Sequence, residues 1–542
     1  MRPGPGPPRL GRMGECGQGR ARRARLPAGR ARYVVGLLLC LVLAACGGGG
    51  GSEDRATAPP PVPAPRAVWQ DCPVTGQPTR ECAVLKVPVD AAEPGSGDLD
   101  LAVSRLPATD KRRRVGVLVL DPGGPGLPGL YTAAALLPPQ IRARYDVVGY
   151  DRRGSGRSTP VDCGEPGGTI GRPADEGESA DPARADPAAV ERDAKAYVTR
   201  CRAKYGELLA HLGTDATVAD LESVRLALGE DKLSLLMASY GTMTAQAYLR
   251  THPDRVRAAV LDGPVDPAQS GVRAALAGSA TEEEASGTAG MTPEQKRAAQ
   301  LRARTAGFRA WCTTSGPAEC AVAPEPDEAL AAVAAKEPDA LAGAAEAVMV
   351  VPSDWPGFSR ALDRAADATP GDSDAYASLR TYAEKGFPKD VAAALKDPGV
   401  GTAFELGVKC ADFGWPKTTA GLLKEVAREA KSRDAEGRDA EGSAAYYAAF
   451  YAPCAVWPRG GPPLGAISAP RAPRPLLLNA EKDIRTPLAA ARKVAERLPA
   501  ALLTAGGQLH GLARSGDPCV NTAVERTLVD GRAARDGTCP ED

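Results

Sequence analysis

One stretch, residues 232–250 (KLSLLMASYGTMTAQAYLR), constrains the fold of this chain more than any other. Its apolar beginning is typical of a buried strand, and the part after Gly241, rich in Ala, Gln, Met and Leu, favours a helix. Ser239 stands in the tight turn between them. A strand, a turn with a central serine and a helix form a nucleophile elbow, which lifts one hydroxyl above the edge of a sheet. The stretch therefore predicts that Ser239 is a nucleophile.

Such a serine needs a base that takes its proton, and the chain has only three histidines: His211, His252 and His510. His211, in LLAHLGT, fits a helix end or a packing position, and we interpret His252, directly before a proline, as structural. His510, in GGQLHGLA, follows a strand-like run by one short loop. A surface histidine would also fit there, but the order of the chain favours His510 as the base.

The acid that orients this base should lie just after a strand, between the serine and the histidine in the chain. Asp483, in LLLNAEKDIRTP, fits that position. Glu481 is a neighbouring alternative, but the DxxTP arrangement favours Asp483, for which a turn-forming role is the other interpretation. Serine, aspartate, histidine is the chain order of α/β-hydrolases.

The oxyanion formed in such a reaction needs backbone N–H donors. The sequence Gly-Gly-Pro-Gly at 123–126 follows a strand-like run, and glycines let the backbone approach a reacting carbonyl closely. We predict that Gly124 and Tyr240, the residue after the nucleophile, supply the two N–H groups. A GGPG sequence alone would be a common turn.

Strand-like and helix-like segments alternate around Ser239, which favours a mostly parallel sheet with helices on both faces. A chain of 542 residues also exceeds what one hydrophobic core usually organises. Residues 268–474 are dominated by Ala, Glu, Lys and Leu in helical patterns. We therefore predict an α/β-hydrolase fold with a mostly parallel central sheet, formed by residues 69–267 and 475–542, and an inserted helical cap, residues 268–474.

The charge balance excludes one class of function. Lys and Arg together number 67, as do Asp and Glu, so the net charge is zero and no basic excess is available to hold a nucleic acid. The chain has no CxxC pair and no histidine cluster, which argues against zinc. We expect neither a metal nor a cofactor.

The N-terminal part predicts export. An Arg-rich leader precedes the apolar run at 33–45, which is too short to span a bilayer as a stable helix, and the run ends in Leu-Ala-Ala-Cys46, as in a bacterial lipobox. We predict a lipoprotein-type signal peptide at 1–46, a membrane anchor through lipidated Cys46 on the outer face of the cell, and a Gly- and Pro-rich tether at 47–68. A cleaved signal peptide that releases a secreted protein, or an uncleaved anchor, is the alternative.

Ten of the 13 cysteines follow Cys46, and an even number in an exported chain suggests disulfides. Sequential pairing closes only local loops and is our expectation, although the sequence alone leaves the connectivity open. The expected pairs are Cys72 with Cys82, Cys163 with Cys201, Cys312 with Cys320, Cys410 with Cys454, and Cys519 with Cys539.

Several of these motifs together resemble the secreted tripeptidyl aminopeptidase family of actinobacteria, which are α/β-hydrolases related to prolyl iminopeptidases. The motifs are GGPG, YDRRGSGRS, SYGT, VLDGPVDP, the FRAWC…C pair, VKCADF, and the C-terminal block of DxxTP, histidine and cysteine. The resemblance runs from about residue 69 to residue 539. It implies a serine exopeptidase that cleaves peptides near a free N-terminus under a helical cap, with Ser239 as nucleophile, Asp483 as acid and His510 as base.

One residue departs from the pattern of this family, and another is a candidate for substrate binding. Met237 stands two positions before the serine, where the family has glycine, so a large side chain must displace a neighbour or occupy a pocket. An exopeptidase must also bind the α-ammonium group of its substrate, and Asp412, beside Cys410, is a candidate for this role. A solvated or capping aspartate is the alternative for Asp412.

Two other functions fit the same residues. An esterase or other acyl hydrolase would use the same triad and oxyanion hole, because these do not determine the leaving group. A lipid-anchored binding protein, catalytically impaired by Met237, is a non-enzymatic alternative. The sequence leaves the length of the released fragment and the oligomeric state open.

Overall fold

The computed structural model describes most of residues 65–540, and the longest internal stretches left out are 73–79, 167–184, 279–300, 386–397 and 435–440. The predicted signal peptide and Cys46 lie outside the described residues, as does nearly all of the predicted tether.

The described strands form one ten-stranded sheet in the order β1-β2-β3-β5-β4-β6-β7-β8-β9-β10. The pairs formed by β1 with β2, β2 with β3 and β3 with β5 are antiparallel, and the strands from β5 to β10 pair in parallel. The strands are β1 (Gln70–Asp71), β2 (Glu81–Pro88), β3 (Asp98–Leu106), β4 (Gly116–Asp121), β5 (Tyr145–Tyr150), β6 (Leu233–Ala238), β7 (Val256–Asp262), β8 (Leu476–Ala480), β9 (Ala501–Ala505) and β10 (Gly537–Cys539).

Burial along the strands explains the two parts of the sheet. Every residue of β4 (GVLVLD) is buried, as expected of a parallel strand that is covered on both faces. Val117 and Val119 pack into one apolar cluster, and Leu118 and Leu120 pack into a second cluster on the other face. In β2, by contrast, exposed and buried residues alternate, which is typical of an antiparallel edge with one wet face.

Helices cover both faces of the sheet. They are α1 (Gly129–Thr132), α2 (Pro139–Arg144), α3 (Pro187–Tyr205), α4 (Thr214–Ala227), α5 (Gly241–Thr251), α6 (Gly271–Gly278), α7 (Pro326–Lys336), α8 (Pro338–Met349), α9 (Trp355–Ala366), α10 (Ser373–Lys385), α11 (Pro398–Asp412), α12 (Thr419–Asp434), α13 (Glu441–Tyr451), α14 (Leu488–Arg497) and α15 (Pro518–Leu528). This arrangement confirms the predicted fold class.

The residues described between β7 and β8 are helical in their regular structure, and they pack in two groups. Phe308, Phe358 and Tyr376 belong to a separate apolar cluster built around α7 to α10. Phe404 of α11 and Leu422 of α12 instead belong to the same cluster as the sheet residues Val119 and Leu235. The second half of the predicted cap is therefore continuous with the hydrolase core, and the division at residues 268 and 474 stays a prediction.

The predicted disulfide pairing is confirmed in full. The structure joins Cys72 to Cys82, Cys163 to Cys201, Cys312 to Cys320, Cys410 to Cys454, and Cys519 to Cys539. Five disulfides are typical of proteins that fold outside the cytosol. None of the described helices is long and apolar enough to cross a membrane.

Candidate active site

Ser239 stands in the turn between β6 and α5, with a φ angle of +52°. This left-handed conformation is unfavourable for a residue with a side chain, so neighbouring contacts must hold it. The Ser239 N–H donates to the carbonyl oxygen of Asp262 at 2.7 Å. Gly241 allows a close approach, because a Cβ there would lie 2.8 Å from the carboxyl carbon of Asp121. The local structure is the predicted nucleophile elbow.

Met237 does not disrupt this elbow. Its side chain is fully buried, and the residue lies in register between Asp121 of β4 and Leu261 of β7. It belongs to the larger apolar cluster of the core. The core therefore accommodates the methionine side chain, and the strained turn at Ser239 forms next to it.

His510 and Asp483 form a hydrogen-bonded pair. The distance from His510 Nδ1 to Asp483 Oδ2 is 2.8 Å, and the side chain of Asp483 is only 1% exposed. The backbone N–H groups of Arg485 and Thr486 donate to Asp483 Oδ1, and the Thr486 hydroxyl donates to Oδ2 at 2.8 Å. Because Glu481 is exposed at the surface, Asp483 is the acidic residue that can orient the imidazole.

The other two histidines lie elsewhere. His252 stacks on Tyr248, with 4.8 Å between the ring centres, and its Nδ1 lies 2.9 Å from the Thr251 hydroxyl. Burial lowers the pKa of His252. His211 lies 3.9 Å from a carboxylate oxygen of Asp90. These packed positions agree with the structural roles that the sequence predicted.

Ser239 and His510 line one cavity of about 550 Å³, and Gly124 and Tyr240 line it too. Asp483 reaches this cavity through His510. The structure therefore brings the predicted nucleophile, base, acid and oxyanion donors into one place.

The glycine loop after β4 packs directly on the elbow. Gly123 has a φ of +92°, and a Cβ there would lie 2.6 Å from the Ala238 carbonyl oxygen and 2.9 Å from Ser239 Cβ. The Gly123 N–H donates to Asp121 Oδ1 at 2.9 Å. Within the described part of the chain, no hydrogen bond uses the N–H of Gly124 or of Tyr240, so both can serve a bound oxyanion.

Comparisons with known proteins agree with this geometry. Residues 116–286 match the family model of the alpha/beta hydrolase fold, and residues 441–539 match the model of TAP-like proteins. The chain is an α/β-hydrolase related to the tripeptidyl aminopeptidases. The tripeptidyl aminopeptidase of Streptomyces lividans is 29% identical over 499 residues, which cover 87% of this chain and 86% of that protein.

Two further relatives of this hydrolase are named as a protease and as an esterase. The serine protease Hip1 of Mycobacterium tuberculosis is 29% identical over 474 residues, covering 84% of this chain and 86% of that protein. Carboxylesterase B of the same species is 33% identical over 227 residues, covering 40% of this chain and 43% of that protein. The protein is a serine hydrolase, and the relatives that align over most of its length are named as peptidases.

The structure contradicts the interpretation of Asp412 as a ligand of the substrate amine. Asp412 is 2% exposed and does not line the cavity of the hydrolase. Its carboxylate accepts hydrogen bonds from the Thr214 N–H at 2.6 Å, the Thr214 hydroxyl at 2.7 Å and the Tyr240 hydroxyl at 2.8 Å. Burial raises the pKa of Asp412, against the charge of Arg152 and these hydrogen bonds. Both carboxylate oxygens of Asp412 are therefore engaged by donors within the protein.

Glu405, whose place in the site was not predicted from the sequence, lines the cavity and has a partly exposed side chain. It pairs with Lys409 Nζ at 2.6 Å and accepts from the Tyr451 hydroxyl at 3.0 Å, both through Oε1. Burial opposes its ionisation, but the charge of Lys409 and these hydrogen bonds outweigh burial and lower the pKa of Glu405. A Glu and a Lys four residues apart is an ordinary helix-surface pattern, so the sequence carried no signal for this role.

Asp266 is the other carboxylate on the cavity wall. Its Oδ1 pairs with Arg497 at 2.6 Å and accepts from the Ala268 N–H at 3.0 Å. The side chain of Asp266 is 7% exposed, whereas that of Glu405 is 34% exposed. Glu405 is therefore the more accessible anion of the site.

Asp262 connects the turn of Ser239 to the loop that carries His510, and its role was not predicted from the sequence. Its backbone carbonyl accepts the Ser239 N–H, and its carboxylate accepts the N–H groups of Leu512 and Ala513 at 2.9 and 2.8 Å. These two residues begin the short 3₁₀ turn that follows His510. The only sequence signal was its place at the end of a strand, in VLDGPVDP.

Proposed function

We propose that this serine hydrolase is an exported exopeptidase that releases short N-terminal fragments, tripeptides in particular, from peptides with a free N-terminus. One observation carries the proposal: the cavity that holds Ser239 and His510 also holds the accessible carboxylate of Glu405. A nucleophile and an anion in one cavity suit a substrate whose scissile bond lies close to a positive charge. The named relatives support the same class of reaction.

The proposed mechanism uses the residues in the following roles. His510 takes the proton of Ser239 as the serine oxygen attacks the peptide carbonyl carbon, and Asp483 orients the imidazole and stabilises its charged form. The N–H groups of Gly124 and Tyr240 stabilise the oxyanion of the tetrahedral intermediate. His510 then protonates the leaving amine, which leaves an acyl-enzyme on Ser239. Water, deprotonated by His510, hydrolyses this ester and releases the N-terminal fragment.

Glu405 is the proposed ligand of the substrate α-ammonium. Its Oε1 is engaged by Lys409 and Tyr451, and no hydrogen bond from the described residues uses Oε2. An ammonium group next to Oε2 would form a charge-assisted hydrogen bond, which is stronger than a neutral one. The lowered pKa of Glu405 keeps this carboxylate ionised at neutral pH.

Attachment to the membrane through lipidated Cys46 is a separate proposal. It rests on the lipobox-like sequence before Cys46 and on the five disulfides, which favour folding outside the cytosol. Mass spectrometry of the mature protein from a lipoprotein-processing bacterium should find a diacylglyceryl group on residue 46. Cys46→Ala should then appear in the medium, and an unmodified mature N-terminus in the wild-type protein would contradict the proposal.

The proposed exopeptidase activity is tested with a series of peptides that have free or acetylated N-termini. The products are identified by mass spectrometry. We expect tripeptides to be released only from free N-termini, and no release by Ser239→Ala. Cleavage of acetylated peptides at the same rate would contradict recognition of the amine. Cleavage by Ser239→Ala would contradict the proposed nucleophile.

A second candidate is an esterase, which the partial match to carboxylesterase B favours. The triad and the oxyanion hole serve an ester as well as an amide. Ser239-dependent hydrolysis of simple acyl esters without any cleavage of peptides would establish this alternative.

A further inference from the structure

Tyr240 contributes two groups that point to different parts of the molecule. The residue lines the cavity beside Ser239 and has a backbone N–H with no partner among the described residues, whereas its hydroxyl donates to Asp412 at the end of α11. We propose that Asp412 is a positioning residue of the oxyanion hole and acts through the side chain of Tyr240. The proposal rests on the proposed function, in which the Tyr240 N–H is an oxyanion donor.

The Asp412 carboxylate is itself held rigidly. The backbone N–H and the hydroxyl of Thr214, the first residue of α4, donate to its two oxygens at 2.6 and 2.7 Å. The Cys410–Cys454 disulfide restrains the same helical turn. The carboxylate can therefore act as a fixed point for the Tyr240 hydroxyl, which lies 2.8 Å away.

The aromatic ring of Tyr240 is enclosed on other sides too. Phe413 meets it edge to face, with 6.2 Å between the ring centres, and the Arg152 guanidinium lies over its face at 5.6 Å. Only 4% of Tyr240 is exposed. The residue joins the strained turn at Ser239 to α5, so contacts that hold its side chain also restrain the peptide group that carries its N–H. Oxyanion donors work only within a few tenths of an ångström of their best position.

The other donor of the oxyanion hole has a similar support. Asp121 accepts the N–H of Gly123 at 2.9 Å and the hydroxyl of Tyr150 at 3.0 Å, and so fixes the loop that carries Gly124. Burial would lower the pKa of Arg152, but the charges of Asp121 and Asp412 are among those that outweigh it and raise this pKa. The buried guanidinium of Arg152 thus offsets the negative charges of Asp121 and Asp412, the two carboxylates that support the proposed oxyanion donors.

Tyr240→Phe tests the proposal, because it removes the hydroxyl and keeps the ring and the backbone N–H. Tyr248→Phe is the matched control: Tyr248 lies on α5, the helix that begins directly after Tyr240, is buried, and donates to a carboxylate oxygen of Glu222 at the same distance, 2.8 Å. Each variant is assayed for kcat and KM on a cleaved substrate, and for affinity to a peptide boronic acid, which forms a tetrahedral adduct with Ser239. Thermal melts verify that equal amounts are folded.

We expect kcat of Tyr240→Phe to fall about 10-fold with KM within twofold, and the boronate affinity to fall by a similar factor. Tyr248→Phe should lose a comparable amount of thermal stability and keep kcat. Asp412→Asn should resemble Tyr240→Phe. The double variant should be no slower than the slower single variant, because both changes act on the same hydrogen bond between the Tyr240 hydroxyl and Asp412.

Equal kcat and boronate affinity in Tyr240→Phe and the wild-type protein would overturn the proposal. So would an equal loss of kcat in Tyr248→Phe, because the effect would then follow from stability alone. A wild-type protein that cleaves neither peptides nor esters would instead contradict the proposed function. Boronate binding to Ser239 would still report on the oxyanion hole in that case, and a weaker adduct in Tyr240→Phe would support the link to Asp412.

Discussion

The two walls of the active-site cavity differ in how their residues are encoded. The sheet wall is the side formed by the loops that follow the strands. On this side, Ser239 and Asp483 follow β6 and β8, within short sequence motifs that indicate a catalytic role. On the helical side, Glu405 and Asp412 both lie on α11, yet Glu405 lines the cavity, whereas Asp412 does not and instead contacts Thr214 of α4 and Tyr240 of the elbow. The comparison shows that the proposed reactive groups of this hydrolase are marked by local sequence, whereas the proposed ligand of the substrate amine depends on how a helix packs.

The sheet wall should show the largest effects. Asp483→Asn would remove the charge that orients His510, so we expect kcat to fall about 10⁴-fold, as in other serine triads. Glu481→Gln, at an exposed position two residues earlier, is the control and should leave kcat unchanged. Comparable losses in the two variants would break the assignment of the acid.

Substitution of Met237 tests whether this buried side chain contributes only to the packing of the core beneath the elbow. Met237→Ala should lower the free energy of unfolding by about 2–5 kcal/mol, because it opens a cavity in the core. The folded enzyme should keep kcat within about twofold, since the elbow is held by Asp262 and Gly241. Val84→Ala, at a strand position that is 54% exposed, should change stability far less in the same denaturant titration. A large loss of kcat in Met237→Ala would instead give the methionine a role in catalysis.

The helical wall should affect binding rather than chemistry. Glu405→Gln should lower kcat/KM about 10- to 100-fold for peptides with a free N-terminus, because a charge-assisted hydrogen bond is lost. Hydrolysis of uncharged esters should not change. Asp266→Asn is the matched carboxylate control, since Asp266 lines the same cavity and is also ion-paired but its side chain is only 7% exposed. A larger effect at Asp266 than at Glu405 would reverse their proposed roles.

Asp262 sharpens the comparison, because it is the buried last residue of β7 and supports the sheet wall from behind, without lining the cavity. In Asp262→Asn, the amide NH₂ replaces an oxygen that accepts a backbone N–H of Leu512 or Ala513. We expect kcat to fall about 10-fold while KM stays constant, because the loop that carries His510 loses a fixed point. An unchanged kcat would show that the loop is held by other contacts.

The pH dependence of stability should give the smallest effect. The pKa of Glu405 lies below its ordinary value of 4.5, so the folded state binds this proton less readily than the unfolded chain. The resulting stabilisation is present above pH 4.5 and disappears as the pH falls through the lower folded value. The difference in Tm between the wild-type protein and Glu405→Gln should therefore shrink between pH 6 and pH 3, and a difference that grows would contradict this sign.

Much of the fold was predictable because it depends on local patterns. The four apolar residues at 117–120 of β4 predict a strand covered on both faces, and the strand–serine–helix pattern predicts the elbow. Sequential disulfide pairing also proved correct, since each pair closes a local loop. The independence of the cap was less predictable, because α11 and α12 join the apolar cluster of the sheet through contacts distant in the chain.

By itself, the sequence determined the class of fold and the residues whose chemistry is proposed, since a nucleophile elbow, a glycine loop and a histidine after a strand are each written in a few consecutive residues. Only the tertiary structure decided what the carboxylates do. Asp412 and Glu405 lie on one helix, but Asp412 accepts hydrogen bonds from Thr214 and Tyr240 and Glu405 lines the cavity. The physical reason is that the partners of a carboxylate come from elements far apart in the chain, and packing alone brings them within hydrogen-bonding distance.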